Sequence, residues 1–159
     1  MIDLRRVVRV AQGEGPDEEE PDEFWGVAGA GVLLVAEDTG RALVALRSPH
    51  VQEPGTWGII GGAIDGGESP VVAVRRELRE ELGYGGSVDL HKAFEYRRGS
   101  FRYHNFVGVV PSEFAPSLNW ETSRVRWVTV EELRALARKH FGLVALLKNS
   151  WDIVSEHLR

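Results

Sequence analysis

The sequence predicts an α/β fold, an α/β/α sandwich on a mixed β-sheet, and three observations carry that expectation. Apolar runs rich in β-branched residues read as strands, one capped amphipathic segment interrupts them, and helical segments follow the last strand. The chain has 159 residues, 43% of them hydrophobic, with five Trp, which suits one domain with an ample core.

Taken in order, residues 1–24 read as an N-terminal arm and acidic loop, and 25–159 as the folded domain. Val7, Val8 and Val10 suit a short strand, and GEGPDEEEPDE at 13–23 suits a solvated loop. Strands are expected at 27–36 and 42–47, joined by a turn at 37–40. Residues 55–60 lead into a glycine-rich loop, with Trp57 in the core or walling that loop. Ser69 is a good N-cap, Pro70 suits the first helical position and Gly83 suits the left-handed position past the end, so 70–82 is a helix. Val71, Val74, Leu78 and Leu82 form its apolar stripe, and Glu77, Glu80 and Glu81 lie to one side within an arc of about 100°. Further on, 88–96 and 101–110 read as a hairpin around a turn at 98–100, and 125–128 as a short strand. Thr129 and Glu132 form a capping box that opens a helix to about residue 139. A last helix at 142–157 carries Leu143, Leu146, Leu147, Ile153 and Val154.

The chemistry concentrates in GAIDGGESPVVAVRRELREELGY, residues 62–84. Like charges three and four apart on a helix repel by roughly 0.2–0.5 kcal/mol per pair, so this clustering needs something to offset it. Hard carboxylate oxygens suit Mg²⁺ or Mn²⁺. Arg76 can reach Glu80 at i,i+4 or turn back to Glu68, and its planar fork would fix a carboxylate's orientation. Gly61, Gly62, Gly66 and Gly67 frame a loop whose backbone can approach a metal or a diphosphate closely. The chain has no Cys, which excludes disulfides and thiol catalysis.

The order Gly62, Glu68, Arg76, Glu77, Leu78, Glu80, Glu81, Gly83, with Tyr84 where an aliphatic residue is usual, is the Nudix box. On it the chain resembles the Nudix (MutT-like) hydrolases, specifically within the box and in element order over about residues 25–140. The resemblance implies a Nudix-type sandwich and a metal-dependent pyrophosphohydrolase, with water attacking phosphorus. It makes Glu80 and Glu81 principal metal ligands, Glu77 a ligand or base, Gly62 a ligand through its carbonyl, and Glu68 and Arg76 supports. The cofactor it implies is Mg²⁺ or Mn²⁺. The expected substrate is a small nucleotide: a nucleoside diphosphate linked to another moiety, as in nucleotide sugars, ADP-ribose-like compounds or dinucleoside polyphosphates. Nucleoside triphosphates are the alternative, and a non-catalytic nucleotide-binding module is the rival class; the intact Glu77, Glu80 and Glu81 favour catalysis. The branch that isomerises isopentenyl diphosphate relies on a Cys and is disfavoured.

The family often draws a further acidic residue from the loop after the hairpin; Glu121 is preferred to Glu113 as that ligand or base. Arg47 is the candidate phosphate contact, with Arg97, Arg98 and Arg102 as alternatives. Tyr96, Phe101, Tyr103 and Trp120 could stack on a base, although core packing is favoured for each. Tyr103 and His104 complete the substrate-binding set, and the other histidines do not make a metal site. A net charge of −5 and no Lys/Arg run beyond two residues argue against stable nucleic-acid binding. No apolar run reaches the roughly 18–20 residues of a membrane span and no signal peptide is evident, so a cytoplasmic protein is expected. A homodimer is left open.

Overall fold

The computed structural model describes residues 28–159. The arm and loop expected at 1–24 lie outside the described residues. The strands are β1 (Ala28–Ala36), β2 (Ala42–Arg47), β3 (Trp57–Gly58), β4 (Ile60–Ala63), β5 (Asp89–Arg98), β6 (Phe101–Val110) and β7 (Thr122–Val128). The helices are α1 (Pro70–Leu82), α2 (Val130–Ala135), α3 (Phe141–Asn149) and α4 (Trp151–His157).

The strands form one sheet in the order β3-β2-β1-β6-β5, with β4 also on β1 and β7 also on β2. β1 and β6 run parallel while the other pairings are antiparallel, so the sheet is mixed. β1 is covered on both faces, and its near-continuous apolar sequence follows from that. On one face Val32, Leu34 and Phe106 meet Leu78 and Leu82 of α1. On the other, Leu33, Val35 and Val107 meet Leu133 of α2, Leu143 and Leu146 of α3 and Val154 of α4. The result is the expected α/β/α sandwich.

α1 begins and ends where its caps require. Ser69 Oγ accepts from the Val72 amide at 3.2 Å. Gly83 adopts φ 66°, and the amides of Gly83 and Tyr84 donate to the Arg79 and Leu78 carbonyls at 3.0 Å. The buried face differs from the expected stripe. Val71 is 38% exposed, whereas Glu77 and Glu81 are buried beside Ala73, Val74, Leu78 and Leu82. The helix packs against β4 as well as β1, and the glycines of β4 let that edge of the helix come close, which rotates the buried arc toward the carboxylates.

Three boundaries also differ. β7 starts at Thr122, because its ladder with β2 continues through an irregularity to the Arg47–Thr122 pair. α2 stops at Ala135, where Lys139 Nζ donates to the carbonyls of Arg134 and Leu136 at 2.8 and 2.9 Å. The C-terminal helix is two helices broken at Ser150, whose Oγ accepts from the Phe94 amide of β5 at 2.8 Å. β5 itself carries a bulge between Lys92 and Glu95, where two residues, Ala93 and Phe94, stand opposite one, Asn105, on β6.

Candidate active site

The buried edge of α1 faces β4. Glu81 Oε2 accepts from the Gly61 amide at 3.1 Å, and a side chain on Gly62 would stand 2.5 Å from Glu77 Oε1. Glu121 arrives from the loop before β7. Its carbonyl accepts from the Ser48 amide at 3.0 Å and its own amide donates to Asn119 Oδ1 at 3.0 Å, so the backbone is held on both sides. Glu81 lies within hydrogen-bonding reach of both Glu77 and Glu121. The structure therefore brings together Glu77, Glu81 and Glu121, with Glu80 at the open rim.

Burial and mutual repulsion keep these acids from ionising freely. Glu81 is raised well above the usual carboxylate range, by burial first and then by Glu77 and Glu121. Glu77 is pushed up to about 7 by burial, against the opposing pull of Arg76, with Glu121 and Glu80 adding to the rise. Glu121 is raised by burial, which outweighs its hydrogen bonds and Arg47. Among the described residues, no three acidic or histidine side chains are gathered closely enough to hold a metal ion as they stand.

Arg76 makes both of the contacts its position allows. Its Nε and Nη2 grip Glu68 Oε2 and Oε1 at 2.9 and 3.1 Å, and Nη2 also donates to the Ala63 carbonyl at 2.9 Å. Nη1 reaches Glu77 Oε1 at 3.0 Å and Glu80 Oε2 at 3.2 Å. Glu68 Oε1 in turn accepts from the Asp65 amide at 2.8 Å. One guanidinium thus joins the glycine loop, the end of β4 and two acids of α1.

Across the sheet from α1 lies a cleft lined by Arg47, Ile59, Gly61, Tyr103, Asn105 and His140, among others. Gly31 and Gly61 leave the room that the Tyr103 hydroxyl fills, since a side chain on either would meet it at 2.8 Å. Burial raises the Tyr103 phenol's pKa, and Glu81 and Glu77 raise it further. Arg47 donates through Nε to the Gln52 carbonyl at 2.7 Å. Its pKa is lowered by burial, against the opposing effects of Tyr103, Glu81 and Glu121. The cleft and the carboxylates therefore meet at Gly61, Tyr103 and Arg47.

Other candidates lie elsewhere. His104 alternates with Tyr103 and Asn105 along β6, so it points to the opposite face, where it stands 3.6 Å from Glu95 Oε1. Glu113 is taken up by Arg41, at 2.6 and 2.5 Å, and by Thr39 at 2.6 Å. Arg97 pairs with Glu95 at 2.9 Å, and Arg102 donates to the carbonyls of Gly99 and Phe101. Phe101 is core and Tyr96 lines the cleft, but Trp120, expected to pack, is 63% exposed. Trp57 is buried beneath Arg124 and Arg126, whose guanidinium carbons stand 5.5 and 5.6 Å from its ring centre. Asn105 and His140 were not anticipated as cleft residues. A polar Asn at an inward position of an apolar strand was the available signal for the first.

A model of the NUDIX domain matches residues 26–148. The chain belongs to the Nudix family. Nudix domains are hydrolases that act on pyrophosphate bonds, and the chain is an enzyme of that class. It is 32% identical over 102 residues to the CTP pyrophosphohydrolase of Escherichia coli, covering 64% of this chain and 76% of that protein. It is 27% identical over 144 residues to the CMP-5'-(N-acetyl-N-hydroxy-3-aminopropyl)phosphonate hydrolase of Streptomyces rubellomurinus, covering 82% of this chain and 66% of that protein. The crystal structure of a Nudix hydrolase from M. smegmatis, RenU, superposes with a TM-score of 0.67 at 22% identity, covering 82% of this chain and 86% of that one; the two share a fold. No helix among the described residues is long and apolar enough to cross a membrane.

Proposed function

We propose that this Nudix hydrolase is a Mg²⁺- or Mn²⁺-dependent pyrophosphohydrolase that cleaves a nucleoside diphosphate linked to another moiety. The observation that carries the reading is Glu81, fixed by the Gly61 amide and buried against Glu77 and Glu121. Buried like charges of this kind are costly unless they keep a proton or meet a cation. The donor set is all hard oxygen, which fits a divalent ion: Glu77, Glu80 and Glu81, with the Gly62 carbonyl, would hold it. When bound, the ion supplies water activation and neutralises charge on the leaving phosphate.

The chain's own residues do the rest. Arg76 holds the acids of α1 in register with the glycine loop. Arg47, beside Glu81 and Glu121 at the cleft mouth, binds a phosphate oxygen of the substrate, and Tyr103 walls the passage between cleft and acids. Glu121 accepts the proton of the attacking water. The water oxygen forms a bond to phosphorus, the bridging P–O bond breaks, and its electron pair leaves with the departing phosphate. No covalent intermediate with the chain is needed.

The similarity to a protein named for a CMP-linked phosphonate supports a diphosphate-type bridge between a nucleotide and a second group. Nucleoside triphosphates are the second reading, favoured by the similarity to a CTP pyrophosphohydrolase. A phosphate-release assay over nucleotide sugars, dinucleoside polyphosphates and triphosphates, with and without Mg²⁺, chooses between them. Glu80→Gln and Glu81→Gln should each lose most turnover and weaken Mg²⁺ binding while folding normally. Wild-type rates in both variants would remove the assignment.

A further inference from the structure

Arginines gather around Trp57 of β3. On β7 the side chains of Arg124 and Arg126, two residues apart, share a face, and both guanidiniums lie over the Trp57 ring. Arg138 joins them along the edge of β3. Its carbonyl accepts from the Trp57 amide at 2.9 Å, and its guanidinium rests on Gly55, where an added Cβ would stand 3.0 Å from Nη2. The Gly55 amide in turn donates to the Arg47 carbonyl at 2.9 Å, and Arg124 stands opposite Leu46, the residue before Arg47. Around the end of β2 there are thus three exposed arginines, Arg124, Arg126 and Arg138, beside the half-buried Arg47.

Acids do not balance this group. Arg126 stands 3.4 Å from Glu132, and Arg47 is near Glu81, Glu121 and Glu53, but neither Arg124 nor Arg138 has a carboxylate partner among the described residues. Two cations over one ring repel each other, and an anion between such forks is held by charge and by paired N–H donors. Arg138 also stands against backbone preference, at φ 58°, a left-handed conformation that glycine takes freely and a residue with a Cβ does not. The group adjoins the active site. Gly58, next to Trp57, and His140, two residues past Arg138, line the cleft with Arg47. Arg124 lies three residues past Glu121, no more than about 11 Å of extended chain.

We propose that Arg124, Arg126 and Arg138, continuing outward from Arg47, bind phosphates of the substrate beyond the cleaved bridge, so that the second group is itself phosphorylated, as in a dinucleoside polyphosphate. This rests on the pyrophosphohydrolase reading above and chooses among the substrates that reading allows. A nucleotide sugar brings no charge past its diphosphate and leaves Arg124 and Arg138 unmatched. Each added phosphate brings them a negative charge and oxygens that suit a planar fork.

The test compares diadenosine tetraphosphate with ADP-ribose in Mg²⁺, by KM and kcat where they are hydrolysed and by calorimetric Kd in either case. The wild-type chain should bind the tetraphosphate about tenfold or more tightly than ADP-ribose. Arg124→Gln and Arg138→Gln should each weaken the tetraphosphate about three- to tenfold in KM or Kd, the scale of an exposed charge-assisted contact, with kcat and the ADP-ribose values within about twofold. Arg138→Gly removes the guanidinium and relieves the backbone, so it should weaken the tetraphosphate equally without lowering Tm. Added NaCl should weaken the tetraphosphate more than ADP-ribose in the wild-type chain, a readout that depends on no variant folding. ATP separates the two sources of a longer phosphate chain: the same arginine dependence with ATP would support a chain of three phosphates as sufficient, and dependence with the tetraphosphate alone would support the dinucleoside compound. Equal losses for ADP-ribose and tetraphosphate would mean that the arginines only brace Trp57. That result, unchanged tetraphosphate affinity in the folded variants, or no wild-type preference or binding would each overturn the proposal. Arginine-dependent binding without hydrolysis would sink the hydrolase reading alone, and hydrolysis without arginine dependence would sink this inference alone.

Discussion

Gly62 and Glu77 compete for one space: a Cβ on the glycine would lie 2.5 Å from Oε1 of the acid and 3.0 Å from its Cδ. The obstacle is the end of a side chain, which can swing aside. At Gly61 the obstacle is backbone, with the Ala30 carbonyl oxygen at 2.4 Å and the Gly31 Cα at 2.6 Å.

Gly62→Ala should accordingly keep the fold and lose activity, because Glu77 moves away from Arg76 and Glu81. A fall in kcat of at least about tenfold is expected, the scale on which disturbing a supporting contact of a metal site acts. Gly61→Ala should do the reverse in emphasis, costing on the order of 1–3 kcal/mol through overpacking. Kinetics and urea denaturation of both variants check it. Equal stability losses would contradict the distinction.

Arg76→Lys keeps the charge but not the fork. A single ammonium cannot serve Glu68, Glu77, Glu80 and the Ala63 carbonyl together. The expected result is a loss of about 10- to 100-fold in kcat with a lower Tm. Full activity in the lysine variant would show that charge alone suffices at this position.

Glu121→Gln should lower kcat by about 10²–10⁴-fold, the usual worth of a general base, and saturating Mg²⁺ should not restore it. Restoration by metal would recast Glu121 as a ligand, and full activity would move the base role to Glu77. Glu113→Gln should leave kcat unchanged, since Glu113 is engaged by Arg41 and Thr39 instead.

Acid should destabilise the fold through His140. Its pKa is pushed down to about 3 by burial, with Arg47 adding to the effect, against about 6.5 unfolded. As pH falls below about 6.5 the unfolded chain takes up a proton that the fold refuses, so stability declines until about pH 3. Between pH 7 and 5 this amounts to on the order of 2 kcal/mol. The buried acids titrate with the opposite sign, so the comparison that isolates His140 is wild type against His140→Asn. The variant should lose less stability on acidification; parallel curves would contradict the expectation.

How much of this was legible in the sequence varies with the kind of signal. The limits of α1 were readable because Ser69, Pro70 and Gly83 act locally, through caps and backbone angles. Its buried face was misjudged: apolar periodicity favoured Val71, while the fold buries Glu77 and Glu81 against glycines fifteen or more residues upstream. The break at Ser150 depends on the distant Phe94 amide and leaves no mark in helix periodicity. His104 was preferred because its strand was expected to border the pocket; strand alternation in the finished sheet turns it away, and the α3 cap places His140 in the cleft lining instead. Contacts within a turn of helix leave a pattern in sequence, whereas contacts made across the sheet do not.

Phe94 sits in the irregular stretch of β5, and both of its peptide groups are used away from the ladder: the amide by Ser150 Oγ and the carbonyl by Asn105 Nδ2. Deleting one residue there, Ala93 for instance, would let a regular ladder close across the gap and reclaim both groups. The junction of the last two helices and the amide of a cleft residue would lose their common anchor at one stroke. One residue of chain length, independent of any side chain it carries, thus keeps the C-terminal helices moored to the substrate-facing surface of the sheet.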